Sequence, residues 1–266
     1  MRPSFRSGFA AAALAAAFAA APAGLVPAAS AAQPAPAPVP PDPAPGGPER
    51  PYEPDVPGPE NLDSLTVTAT RGEGRGVTVA FDRRSRTADG SVPAAPRRFV
   101  FLFDRSIGFN PEAFPTCSAE LIEEKGAQAC PPGSQVGSGR STSADGTLRD
   151  VLAFNAKVGA LRGVLVVIPD TGVILEQTFE RAAPPYRGAG YRWTLDEIIP
   201  PDGNPPGQRQ GTARFELSFG ATRTVNGRPV GFAETSARPG TNMRFGLWSE
   251  FVTGQVVLPE DTAKLR

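Results

Sequence analysis

The segment Ala213-Arg214-Phe215-Glu216-Leu217-Ser218-Phe219 alternates apolar and polar side chains at every step. Only a half-buried β-strand gathers a period of two onto one face. The same rhythm recurs beyond Asn61, where short runs rich in Val, Phe, Leu and Thr are separated by Gly, Pro and Asp. Candidate strands cover residues 64–70, 77–81, 98–103, 151–156, 163–168, 173–181, 191–195, 212–219, 242–251 and 254–258. Turn chemistry falls between them: Asp89-Gly90, the stretch 202–207, and Asn226-Gly227, a two-residue hairpin signal between 221–225 and 228–232. Helical periodicity is almost absent. The roughly 200 residues after Asn61 suffice for one sizeable core, so residues 61–266 read as a single all-β domain. An antiparallel, jelly-roll-like β-sandwich is expected, with one short helix in a disulfide-closed loop.

The N-terminal part has another character. Arg2 and Arg6 precede an Ala-rich run with Leu14 and Phe18, and Ala29-Ser30-Ala31 offers small residues for cleavage. Residues 1–31 therefore read as a secretory signal peptide, too short in its apolar part to span a bilayer as a mature anchor. Between Pro34 and Pro59 there are 12 prolines in 26 residues, with little large and apolar to bury. Residues 32–60 are expected to form a disordered, polyproline-like linker, of which residues 34–59 could extend to roughly 80 Å at about 3.1 Å per residue. No later apolar run reaches the length of a transmembrane helix, so the mature chain is expected to be exported without a membrane span.

Cys117 and Cys130 are the only cysteines, and in an exported chain they are expected to pair. A metal site would need further ligands, and a redox pair usually places its cysteines two residues apart. Between them Ser118 can cap a short helix, Glu120 falls in its first turn, Lys125 in its last, and Gly126 can end it. The pattern Pro115-Thr116-Cys117, an acidic helix, and Cys130-Pro131-Pro132-Gly133-Ser134-Gln135-Val136-Gly137 continues into Ala153-Phe154-Asn155 and a Gly-x-Leu-x-Val-Ile-Pro strand over 163–169. This resembles a group of secreted proteins of high-GC actinobacteria with no assigned activity. The resemblance covers about 98–169, implies an exported β domain, and carries over no catalytic residue. Members often have a further cysteine pair toward the C-terminus, which is missing here. The ratio of 24 Arg to 3 Lys independently fits a GC-rich coding sequence.

Composition then narrows the chemistry. With no histidine there is no Ser-His-Asp or Cys-His pair, no His-ligated metal and no imidazole switch. Equal numbers of basic and acidic residues, 27 each, give no global footprint for nucleic acid or an anionic membrane, and both partners are set aside. The glycine-rich stretches 72–76 and 137–139 match no nucleotide fingerprint and read as turns or bulges. Asp170-Thr171-Gly172 looks like an aspartic-protease triplet, but only one copy is present and turn chemistry explains it. Glu176, Thr178 and Glu180 share one strand face; four residues along a strand span about 13 Å, too far for a glycosidase pair, so each would need a partner such as Glu216 from another strand. Tyr191 and Trp193 fall on one face with Leu195, which points to core burial rather than a sugar platform, and Trp248 and Phe251 read the same way. No catalytic, cofactor-binding or metal-ligating residue is named. The expectation is an exported, non-catalytic β protein that binds a ligand or associates with the cell wall, its partner an envelope component or glycan. The rival is a carboxylate-dependent glycan hydrolase or lyase.

Overall fold

A computed structural model describes residues 41–47, 52–198, 205–209 and 211–266. The expected signal peptide with its expected cleavage near Ala32, linker residues 32–40 and 48–51, and 199–204 of the long loop lie outside the described residues. The chain begins β1 (Leu62–Arg71), β2 (Val77–Arg86), β3 (Pro96–Asp104) and β4 (Ile107–Phe109), then α1 (Ala119–Lys125). There follow β5 (Gln135–Ser143), β6 (Leu148–Val158), β7 (Leu161–Ile168), β8 (Val173–Arg181), β9 (Tyr191–Ile198) and β10 (Thr212–Phe219). The last strands are β11 (Thr222–Val225), β12 (Arg228–Gly231), β13 (Ala233–Thr235), β14 (Asn242–Phe251), β15 (Val256–Val257) and β16 (Glu260–Lys264).

The all-β, antiparallel class is as expected, but the sandwich is not. One twelve-stranded sheet runs in the order β1-β2-β10-β5-β6-β7-β8-β9-β3-β14-β15, with β16 also on β14. It curls on itself: Arg71 N donates to Arg266 O (2.8 Å) and Arg266 N to Ala69 O (3.1 Å), so the segment after β16 links β14 back to β1. The result is a near-barrel. Alternation reports only that each strand has one buried face, a property that two stacked sheets and one curled sheet share.

The inner faces meet in a phenylalanine-rich core. Phe81 packs edge-on against Phe101, Phe103 and Phe245 with ring centroids 5.1, 5.4 and 5.8 Å apart. Burying one such ring stabilises by about 1.5–3 kcal/mol, and edge-to-face geometry adds about 0.5–1.5 kcal/mol. At one end the interior turns polar. Arg83, 1 % exposed, donates to Asp63 (2.6 Å) and stands over the Phe99 ring at 4.8 Å.

The cysteine loop follows the expected course. Ser118 Oγ accepts from Leu121 N (3.2 Å), the Gly126 N–H closes on Ile122 O (2.7 Å), and Cys117–Cys130 is a disulfide. Helix α1 presses Ile122 onto Phe154, Leu165 and Val167 of the outer wall. Asn155, fully buried, donates from its one amide nitrogen toward Pro111 O, Phe114 O and Pro115 O at 2.9–3.1 Å, holding the chain that leads into the loop.

The hairpin β11–β12 turns at Asn226 (φ 50°) and Gly227 (φ 74°), as the Asn-Gly pair dictates. Of the turn or bulge expected at residues 137–139, the turn is absent: they lie inside strand β5, whose pairing with β6 shifts register between Gln135 and Gly137, and there a Cβ on Gly139 would run into Glu216 O of β10 and one on Gly137 into Ser218 O. Glycine is there for close backbone approach, not for a turn. Two pieces of the proline-rich stretch also have places on the wall. Residues 41–47 cover part of β3, β9 and β14, and beyond Tyr52 the Val56 N–H bonds to Val252 O (3.0 Å) while Arg209 holds Glu53 bidentately at 2.8 and 2.5 Å. The linker reading made no provision for these contacts, because composition counts apolar side chains and overlooks main-chain carbonyls.

Candidate functional site

At one end of β3, β8 and β9, four strand-end and turn residues converge. Arg181 ends β8, Arg187 lies in the turn to β9, Arg192 follows Tyr191 at the start of β9, and Arg105 follows β3. The turn is drawn in by main-chain bonds, Arg105 N to Gly190 O (2.8 Å) and Ala182 N to Arg192 O (3.1 Å). These four arginines and Tyr191 line a pocket of about 410 Å³. Arg181 stands over Trp193, its guanidinium carbon 3.7 Å from the ring centroid, and Arg187 Nε donates to Ala182 O (3.0 Å). All four side chains are exposed, and none forms an ion pair among the described residues.

The neighbouring acids are engaged elsewhere. Glu260 takes a bidentate pair from Arg244 (3.0 and 2.7 Å) and the Tyr191 hydroxyl, and Asp104 accepts from Ser106 and Arg244 N. Burial, together with the Glu260 hydrogen bond, pushes the Tyr191 phenol well above its ordinary range, so it adds no negative charge to the pocket. Guanidinium does not lose its proton in proteins, which excludes proton transfer by these side chains and leaves binding. Planar five-donor forks match phosphate and carboxylate oxygens. A zero global charge hides this concentration, because it averages over the whole surface.

The residues singled out from sequence are scattered differently. Tyr191 and Trp193 do not share a face: the register of β3 with β9 slips between Phe103 and Asp104, pairing Phe103 with Trp193 and Asp104 with Tyr191. The bulge at Arg192 sends Tyr191 outward to Trp248 and Tyr186, while Trp193 packs on the phenylalanine core. Trp248 (2 % exposed) and Phe251 (0 %) are buried as expected. Glu176, Thr178 and Glu180 do share the outer face of β8, with Thr178 opposite Asp196. Glu216 is no partner for them, since β7, β6 and β5 separate β8 from β10. Asp170 lies exposed in the β7–β8 turn, where Gly172 (φ 71°) closes on Ile168 O.

Glu216 instead faces Asp82 across β10–β2, in a shallow groove of about 700 Å³ on the outer face of β1, β2, β10, β5 and β6. A ladder of cross-strand neighbours, Thr66-Asp82-Glu216-Arg140-Asp150, crosses it. Arg214 clamps Asp82 at 2.7 and 2.8 Å and reaches Glu216 at 2.8 Å. That hydrogen bond holds the Asp82 carboxyl below the usual carboxylate range, the opposite of what a general acid needs. Among the described residues no three acidic or cysteine side chains gather to hold a metal, and no helix is long and apolar enough to cross a membrane. No family model matches the chain, and no curated protein or solved structure shows significant similarity to it.

Proposed function

We propose that the chain is an exported, non-catalytic protein of the cell envelope that holds an anionic group, phosphate or carboxylate, in its arginine pocket. The observation that carries this reading is the convergence of Arg105, Arg181, Arg187 and Arg192 on one 410 Å³ hollow without a carboxylate among them. Like charges so close repel one another, and an arrangement of this kind is relieved by a bound oxyanion. The volume fits one sugar-sized unit, which agrees with an envelope saccharide bearing phosphate or uronate. The disulfide and the signal-like N-terminus support export.

Calorimetric titration tests it. Glucose 1-phosphate and glucuronate should bind at one site and weaken as salt is raised, while glucose should not bind. Replacing Arg105 and Arg192 together by Ala should weaken binding about tenfold or more with the melting temperature nearly unchanged, since both side chains are exposed. Equal heats for glucose and its phosphate would remove the anion reading.

The rival hydrolase reading has one foothold, the two carboxylates Asp82 and Glu216 in the outer groove. It expects cleavage of a glycan that Asp82→Asn abolishes. The lowered Asp82 carboxyl and its neutralising Arg214 favour a structural ion-pair cluster there instead.

A further inference from the structure

The outer wall beside the 182–190 turn is shaped for one kind of chain. Four donors point away from it: Trp248 Nε1, the Tyr186 hydroxyl, Ala183 N and Arg98 Nη2. Each meets a main-chain carbonyl of residues 41–47. Trp248 bonds Pro41 O, the Tyr186 hydroxyl lies 2.6 Å from Pro43 O and 3.1 Å from Pro41 O, Ala183 N is 2.6 Å from Pro45 O, and Arg98 reaches Gly46 O. Proline has no N–H, so a Pro-x-Pro chain offers carbonyl acceptors and few donors. A wall that presents donors fits such a chain and suits a chain rich in N–H groups poorly.

Side-chain packing adds selectivity. Pro45 is buried, and Ala44 packs against the cluster that holds Tyr186, Tyr191 and Trp248. Gly47 adopts φ 91°, and a Cβ there would run into the Asp196 carboxylate and the Arg98 guanidinium, which pair with each other beneath it. The segment is read as Pro-x-Pro-x-Pro-Gly-Gly, and Pro34-Ala35-Pro36-Ala37-Pro38 repeats its first part upstream. The segment bends at Pro41, Pro43 and Gly46 as it follows the wall, and its proline rings limit the conformations that the free chain must give up on docking against aromatic side chains.

We propose that this groove is a recognition site for proline-rich chain in this bent course, and that residues 41–47 are the ligand it holds in cis. The proline-rich arm is thereby latched to the barrel wall, and release of the latch would let the groove take the same segment from another copy or a synthetic peptide. In cis, the tether gives the segment a high effective concentration against any free competitor.

The test uses a peptide of residues 38–47 and two receptors, the native mature protein and a variant whose residues 41–47 are replaced by Gly and Ser, followed by Trp248 fluorescence and amide shifts. The emptied variant should bind the peptide saturably, with native protein at least about tenfold weaker because its own segment competes. A Trp248→Phe change in the emptied variant should weaken binding about tenfold by deleting one donor. A folded emptied variant that ignores the peptide, or native protein that binds it equally well, would overturn the proposal. If the emptied variant does not fold, Gly47→Ala in the otherwise native chain decides: the Ala183 amide, bonded to Pro45 O, should exchange about tenfold faster than in the native protein. Unchanged exchange at Ala183 would equally overturn it.

Discussion

Asn155 serves three main-chain carbonyls with one amide nitrogen. Truncation to Ala leaves Pro111 O, Phe114 O and Pro115 O without that donor in a buried place, so Asn155→Ala should cost about 2–4 kcal/mol in denaturant unfolding. Asn155→Asp should cost at least as much, since an ionised carboxylate would face the same carbonyls with no proton to give. A cost under about 0.5 kcal/mol for both would show that the loop entrance holds without this amide. The Ala-Phe-Asn signature was legible in the sequence as a pattern, while its physical role was not, because the carbonyls it serves lie about forty residues upstream. Tyr186 permits a test by pH. Burial, with the Asp42 carboxylate nearby, pushes its phenol up to about 12, so the folded state favours the neutral form. That contribution is fully present below the unfolded tyrosine value near 10 and fades as pH rises through 12. Tyr186→Phe should therefore flatten the alkaline loss of stability in that window, and an unchanged alkaline profile would argue against a buried phenol.

Among the elements, the disulfide loop is the one most fully legible in the sequence. Ser118, Glu120, Lys125 and Gly126 occupy the cap and turn positions that their chemistry favours, and the helix runs Ala119–Lys125 between them. With a sequence separation of 13, the bond should contribute roughly 3 kcal/mol by restricting the unfolded chain. Replacing both Cys117 and Cys130 by Ser should lower stability by roughly 2–4 kcal/mol while the far-ultraviolet circular dichroism stays that of a β protein. An unchanged melting temperature would deny the loop a stapling role. Strand β5 was illegible for an equally physical reason. Its sequence Gln-Val-Gly-Ser-Gly-Arg-Ser-Thr-Ser carries one large apolar residue, and its pairing depends on the absence of side chains at Gly137 and Gly139. Gly139→Ala should accordingly destabilise by about 2 kcal/mol or more, as β10 must move to admit the methyl group. Strand β16 was missed too, since Glu-Asp-Thr-Ala-Lys has no apolar alternation and is held by pairing with β14.

For the whole molecule, the period of two foretold the buried face of most strands and was silent on how the sheet closes. Closure rests on backbone bonds between residues 69–71 and Arg266 and on the Asp261 carboxylate accepting from Val67 N (2.7 Å), none of which strand alternation announces. The arginine pocket was hidden in the same way. Arg105 lies far along the chain from Arg181, Arg187 and Arg192, and a balanced charge count conceals what β3, β8 and β9 bring together. Binding of an oxyanion there is most directly read from the arginine Nε–H signals of the isotope-labelled protein during titration with glucose 1-phosphate. The signals of Arg105, Arg181, Arg187 and Arg192 should shift together and saturate at one common ligand concentration, with Arg84 and Arg214, which pair with Asp82, and Arg140, which neighbours Glu216, unmoved. Shifts spread over exposed arginines without saturation, or confined to Arg84, Arg140 and Arg214, would contradict a specific anion site in this pocket.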